Sequence, residues 1–261
     1  LRTGVPGRLA QATATEVLYL ASQGGAAGRR ARRVFARMTR LVDASPDPIQ
    51  GRIWLLVADG GASYLEGRFA AAVAALATGE TLLREHTTGT TFLRNNTRVL
   101  RVHALRQLGA LQENGALIAE AVRSGRQRGD RYLETTLQFL RGTALLGQDL
   151  VAEAHATLAG VTWTPPEGGY HMQHWSELRA RVDIALYEGT APQVVEVLEP
   201  RFAPLHGSGL LRIQIIRAEA LATRGRLLLA ARGADRAAPR EIDRLARRLT
   251  RERTSYATVY A

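Results

Sequence analysis

The sequence predicts an all-α fold, a right-handed solenoid of about six helical hairpins that form one repeat domain over residues 1–261. Three observations carry that expectation. Alanine, leucine and arginine dominate, while valine, isoleucine and aromatic residues never alternate with polar ones over a strand-length run. Apolar residues recur instead at three- and four-residue spacing, the period of a helix face. A glycine-marked punctuation also returns about every forty residues, at Gly25, Gly67, Gly109, Gly147, Gly189 and Gly233, with intervals of 42, 42, 38, 42 and 44. A repeat of this length is one helix-turn-helix unit that buries its apolar side only by stacking on its neighbours.

Taken in order, the first helices of the hairpins are expected to start near residues 8, 46, 88, 130, 168 and 208. The first hairpin turns at "YLASQGG" and returns through "GRRARRVFARMTR", where Ala31, Val34, Phe35, Met38 and Leu41 supply a packing face. The second turns at "YLEGRF", the third at "QLGALQ", the fourth at "LLGQDL", the fifth at "LYEGTA" and the sixth at "AARGAD". Each punctuation lies between two helix-periodic stretches, and a glycine there ends the first helix. "TWTPPEGG" at 162–169 is the one strong interruption, because Pro165 and Pro166 cannot sit inside a helix. It reads as a loop between repeats, since the rhythm resumes after it. "GSG" at 207–209 signals a turn. The last helix, about 236–253, places Ile242, Leu245 and Leu249 on a narrow stripe and Arg240, Arg244, Arg247 and Arg251 opposite, as a terminal repeat with one wet face requires.

In "YLEGRFAAAVAAL", Tyr64, Gly67, Phe69, Ala72 and Val73 fall where a tetratricopeptide repeat places its aromatic, turn-glycine and small packing residues. Small residues let helices approach closely, and an aromatic fills the space beside them. Asp59 stands where a leucine is usual, and the period exceeds 34 residues, so the units are tetratricopeptide-like.

Composition excludes several chemistries. All 35 basic Lys+Arg positions are arginine, so a phosphate-binding loop, a kinase's ATP-anchoring lysine and a Schiff base have no residue to build on. With no cysteine there is no disulfide, thiol nucleophile or thiolate zinc site. None of the serines lies in a G-x-S-x-G elbow or an S-x-x-K pair. The longest apolar run, residues 69–77, is far shorter than the roughly 20 residues that span a bilayer. The opening "LRTGVPGRLAQ" resembles no secretory signal, and the chain reads as a cytoplasmic segment of something longer, with no membrane partner.

Three sets of residues are candidates for recognition. In "GGYHMQHWSEL", His171, His174 and Glu177 are three apart and share a helix face, so a metal site is one reading. The H-E-x-x-H string is missing. In the other reading, Tyr170, Met172, Trp175 and Leu178 pack the start of the fifth hairpin while the histidines cap its first turn or bond a neighbour, and His171, His174 and Trp175 remain candidates for partner contact. Arg94, Asn95, Arg98 and Arg101 line the third hairpin's first helix, on the side where such arrays hold extended partners. The third set stands in a stretch free of acidic residues between Glu16 and Asp43, where Arg29, Arg30, Arg32, Arg33, Arg37 and Arg40 concentrate part of the chain's net charge of +11. Such a patch suits phosphates or an acidic protein surface. No helix-turn-helix or other reader motif accompanies it.

"ASYLEGRFAAAV", "RGDRYLETTLQ", "GGYHMQHWSELRARVDIALYEG" and "LLRIQIIRAEALATRGRLLLAA", in this order, resemble the C-terminal helical-repeat region of large bacterial serine/threonine protein kinases that also contain an AAA/STAND-type ATPase module. The resemblance implies a regulatory, partner-sensing region that works on kinase and ATPase domains upstream in the same chain. It implies no catalytic residue and no cofactor here, because every kinase and ATPase motif is missing from these residues. The expected function is therefore protein–protein interaction on the concave surface of the array. The repeat region of a STAND-type transcriptional regulator, or a nucleic-acid-binding helical repeat, is the alternative.

Overall fold

The computed structural model describes residues 6–45, 48–163, 168–233 and 238–260. Among the described residues every regular element is helical and no strand occurs. The chain gathers into two compact units that meet in sequence at Gly109–Ala110, a division that the even repeat rhythm does not announce.

The first unit holds α1 (Pro6–Gln23), α2 (Gly25–Asp43), α3 (Pro48–Leu65), α4 (Phe69–His86) and α5 (Thr91–Gln107). Each helix packs on its neighbour in sequence, and α1, α3 and α5 also pack on one another in succession. Ala14, Val17, Ala31, Met38 and Ala58 form one core cluster, and Ile53, Val57 and Leu83 another. Small residues set the spacing: a Cβ at Gly60 of α3 would lie 2.5 Å from Leu76 Cγ of α4. On α2 the packing face differs by one residue from the expected one. Leu41 is 42% exposed and Val42 is buried in its place, because Val42 continues the line of Ala31 and Met38 around the helix.

The second unit runs through α6 (Leu111–Gln127), α7 (Arg131–Leu146), α8 (Val151–Ala159), α9 (Met172–Glu188), α10 (Ala191–Leu198), α11 (Ala203–Gly207), α12 (Gln214–Arg232), α13 (Ala238–Arg251) and α14 (Ser255–Tyr260). Helix α7 packs on α6, α8 and α9, α9 on α10 and α12, and α12 on α13 and α14. Tertiary neighbours are thus close in sequence, one to three helices apart.

First helices begin at Pro6, Pro48, Thr91, Arg131, Met172 and Gln214, close to the expected starts. The largest displacement, at the sixth, comes from a 3₁₀ turn over Gly209–Arg212 that Ser208 opens by accepting from the Leu210 amide at 3.3 Å. Four of the six punctuating glycines, Gly25, Gly67, Gly109 and Gly189, adopt positive φ of 53°, 82°, 69° and 71°, the left-handed conformation that reverses a chain after a helix. Gly147 and Gly233 do not, with φ of −67° and −60°. Between α7 and α8 the left-handed residue is Asp149, φ 60°, a residue type that tolerates this region. The missing side chain of Gly147 serves packing instead, since a Cβ there would fall 2.1 Å from Leu111 Cδ1.

The fifth hairpin's second helix is broken. Pro200 ends α10 in a 3₁₀ turn, Glu199–Phe202, and α11 follows at once. Phe202 and Leu205 are buried, and Phe202 meets Trp175 edge-on at 6.3 Å between ring centroids. The double proline Pro165–Pro166 lies outside the described residues. Helix α13 matches the expected last helix, with Leu245 and Leu249 buried and Arg240, Arg244, Arg247 and Arg251 exposed. Beyond the elements expected from the sequence, α14 follows and buries Tyr256 and Ala257. No described helix is long and apolar enough to cross a membrane.

Candidate interaction sites

The third-hairpin arginines sit on α5, where the four- and three-residue steps from Arg94 to Arg98 to Arg101 keep them on one side of the helix and bring Arg98 and Arg101 to Glu80 of α4. Arg98 is only 8% exposed and donates through Nε to Glu80 of α4. Arg101 Nη1 lies 3.7 Å from the other oxygen of the same carboxylate. One half-buried glutamate thus draws two of the arginines together. Asn95 is buried as well, and Arg94 and Arg101 are half-buried.

At the fifth hairpin, His171 is the N-cap of α9 and His174 its third residue. The His171 amide donates to His174 Nδ1 at 2.9 Å. This is half of a capping box in which an imidazole replaces the usual glutamate or glutamine. The nitrogen that accepts must be unprotonated. Burial first, and then the neighbouring His171, lower the His174 pKa below its ordinary 6.5, which agrees with that role. Tyr170 stacks on the His174 ring at 5.0 Å and Trp163 meets its face edge-on at 4.7 Å. Burial raises the Tyr170 phenol to about 12. Trp175 and Leu178 are wholly buried, and the Arg179 guanidinium lies 6.0 Å from the Trp175 ring. Among the described residues no three His, Asp or Glu side chains gather as metal ligands.

Glu177 has a different task from the one its spacing suggests. It accepts from Arg181 Nε at 2.8 Å and from Arg201 Nη2 at 3.0 Å. Burial alone would raise its pKa, but the bonds and charges of Arg181 and Arg201 prevail and hold it below the usual carboxylate value. The Glu177–Arg181 pair was legible as an i, i+4 spacing. Arg201 was not, because it reaches Glu177 only through the break at Pro200.

Helix α2 presents the basic patch. Arg29, Arg30, Arg32, Arg33, Arg37 and Arg40 are all exposed, opposite the buried Gly28, Ala31, Met38 and Val42. Arg32 donates to Glu66 at 2.9 Å, and Arg30 stands 3.8 Å from Glu16. At 100° per residue, Arg29, Arg30, Arg33, Arg37 and Arg40 fall within an arc of about 100°.

Comparison with protein-family models, with curated proteins and with solved structures finds no match to this chain.

Proposed function

We propose that the chain is a non-catalytic recognition module, a right-handed solenoid of tetratricopeptide-like hairpins that senses a protein or peptide partner and regulates a bacterial serine/threonine kinase. The observation that carries this reading is a series of side-chain pairs between successive first helices at the repeat interval. Tyr64 of α3 meets His103 of α5 at 5.8 Å between rings, 39 positions on. Thr143 of α7 donates to Asp183 of α9 at 3.2 Å, and Arg179 of α9 to Glu219 of α12 at 2.9 Å, each 40 positions on. Hairpins joined in this way within each unit keep an extended surface for a partner rather than enclosing a single reaction site. In this reading Arg94, Arg101, His171 and His174, which keep partial exposure, meet the partner. Asn95, Arg98 and Trp175 hold the helices that present them.

The test joins the chain to the kinase and ATPase segment of its proposed parent. The joined protein is expected to phosphorylate serine or threonine at a rate that Arg94→Glu with Arg101→Glu alters, while the isolated chain neither hydrolyses ATP nor transfers phosphate. Turnover of ATP by the isolated chain would overturn the reading.

A second reading, binding of a nucleic-acid duplex, is favoured by the α2 arginine arc. Five arginines that neutralise five phosphates would give log K against log[salt] a slope of about −4.5. Arg29, Arg33, Arg37 and Arg40 changed together to glutamine should abolish duplex binding. Absence of binding by the unaltered chain at physiological salt removes this reading.

A further inference from the structure

The broken second helix of the fifth hairpin leaves an open cleft of about 680 Å³ in the second unit. Its walls are α8, which Gly160 ends after nine residues, and α10, which Pro200 ends after eight. Leu158, Ile184, Ala185 and Leu198 form an apolar floor, and Val197, 69% exposed, stands on the rim. A largely apolar hollow of roughly 300–1,000 Å³ with a few convergent polar groups has the dimensions of a small-molecule site, not of a protein groove.

Its polar groups are placed asymmetrically. Arg181 and Arg201 both line the cleft, and both bond the single carboxylate of Glu177. Two cations against one anion leave a surplus positive charge at that end. Arg181 uses its Nε and Arg201 one Nη in those bonds, so among the described residues the remaining guanidinium N–H groups stay available. Glu177 also fixes the two guanidinium groups, which lowers the entropy lost when they bind a second anion. Elsewhere on the lining, Glu188 is hydrogen-bonded to His155 at 3.0 Å.

We propose that this cleft is a binding site for a small amphiphile, an apolar chain or ring that ends in one carboxylate. The apolar body lies on Ile184, Ala185 and Leu158, and the carboxylate accepts hydrogen bonds from Arg181 and Arg201. This site does not depend on the partner-recognition reading and stands or falls separately.

The probe is dodecanoate, titrated into the full chain below its micelle concentration and followed by calorimetry, with dodecanol and dodecyltrimethylammonium as comparators. One-to-one saturable binding of dodecanoate is expected, at least about tenfold tighter than dodecanol, because a hydrogen bond to a charged group contributes about that factor or more. The ammonium amphiphile should bind more weakly still. Arg201→Gln and Arg181→Gln should each weaken dodecanoate about tenfold and leave dodecanol unchanged. Val197→Trp, a change on the exposed rim that fills the cleft without disturbing the floor, should prevent binding of both. Equal affinity for dodecanoate and dodecanol, binding unaffected by Val197→Trp, or no saturable binding would each overturn the proposal.

Discussion

Arg179 Nη1 donates to Glu219 Oε2 at 2.9 Å, with the two side chains 4% and 5% exposed, and so joins α9 to α12 across forty residues of sequence. Two charges taken out of water together roughly break even, but either alone is costly. Arg179→Met or Glu219→Leu should therefore each lower unfolding stability by about 3–5 kcal/mol, and the double variant should recover most of the loss. Urea denaturation of the four proteins in a double-mutant cycle checks this. Additive losses would show that the pair does not act as a unit.

Glycine to alanine in a helix normally stabilises by up to about 1 kcal/mol. The same change should have opposite signs at two positions here. At Gly60 the added Cβ would lie 2.5 Å from Leu76 Cγ and 3.1 Å from the Leu76 amide nitrogen, which cannot move without its helix, so Gly60→Ala should destabilise by about 1–3 kcal/mol. At Gly115 the nearest atom is Gln148 Nε2 at 3.6 Å, an ordinary contact, and Gly115→Ala should stabilise by about 0.5–1 kcal/mol. Thermal melts of both variants distinguish the cases.

His174 caps α9 only while Nδ1 is unprotonated. Its folded pKa lies below the ordinary 6.5, so its contribution is present above that value and is lost as pH falls through the lowered one. Stability should decline on acidification through this window more in the natural chain than in His174→Ala. At neutral pH, His174→Ala should cost about 1 kcal/mol, the usual value of an N-terminal cap. Denaturation midpoints measured across the acid range provide the comparison.

Burial raises the Tyr256 phenol of α14 from 10.0 to about 12. The raised value means that the folded state holds the proton longer than the unfolded one. Stability from this group is complete below pH 10 and declines as pH rises towards 12. In an alkaline titration followed by phenolate absorbance, Tyr256→Phe should reduce by about half the late phase near 12 that it shares with Tyr170. Loss of an earlier phase instead would place Tyr256 in solvent.

The helices were legible because their signals are local. Apolar residues at three- and four-residue spacing marked the helices, and Gly67 and Gly189 marked turns that take positive φ. Position 41 against 42 on α2 was missed because neighbouring apolar residues differ by 100° and only the neighbour's shape selects one. Helix α14 was missed because six residues carry too little periodicity to register, and its stability comes from burial of Tyr256 and Ala257. The candidate surfaces were less legible. Of the arginines singled out on α2 and α5, those on α2 remain exposed, whereas Arg98 and Arg101 converge on Glu80, 18 and 21 positions before them.

The sequence by itself determined the helical class and nearly where the expected first helices begin, because helix formation and chain reversal depend on residues within one or two turns. It also determined what chemistry is unavailable, since no arrangement of this chain can supply a lysine or a cysteine. Tertiary structure alone decided which charges are free, which are paired and where space remains. Glu80, Glu177 and Glu219 each select their arginines through packing, and the cleft beside α9 exists because α8 and α10 stop short. Both depend on the distance between elements, a quantity fixed only when the side chains of neighbouring helices interlock.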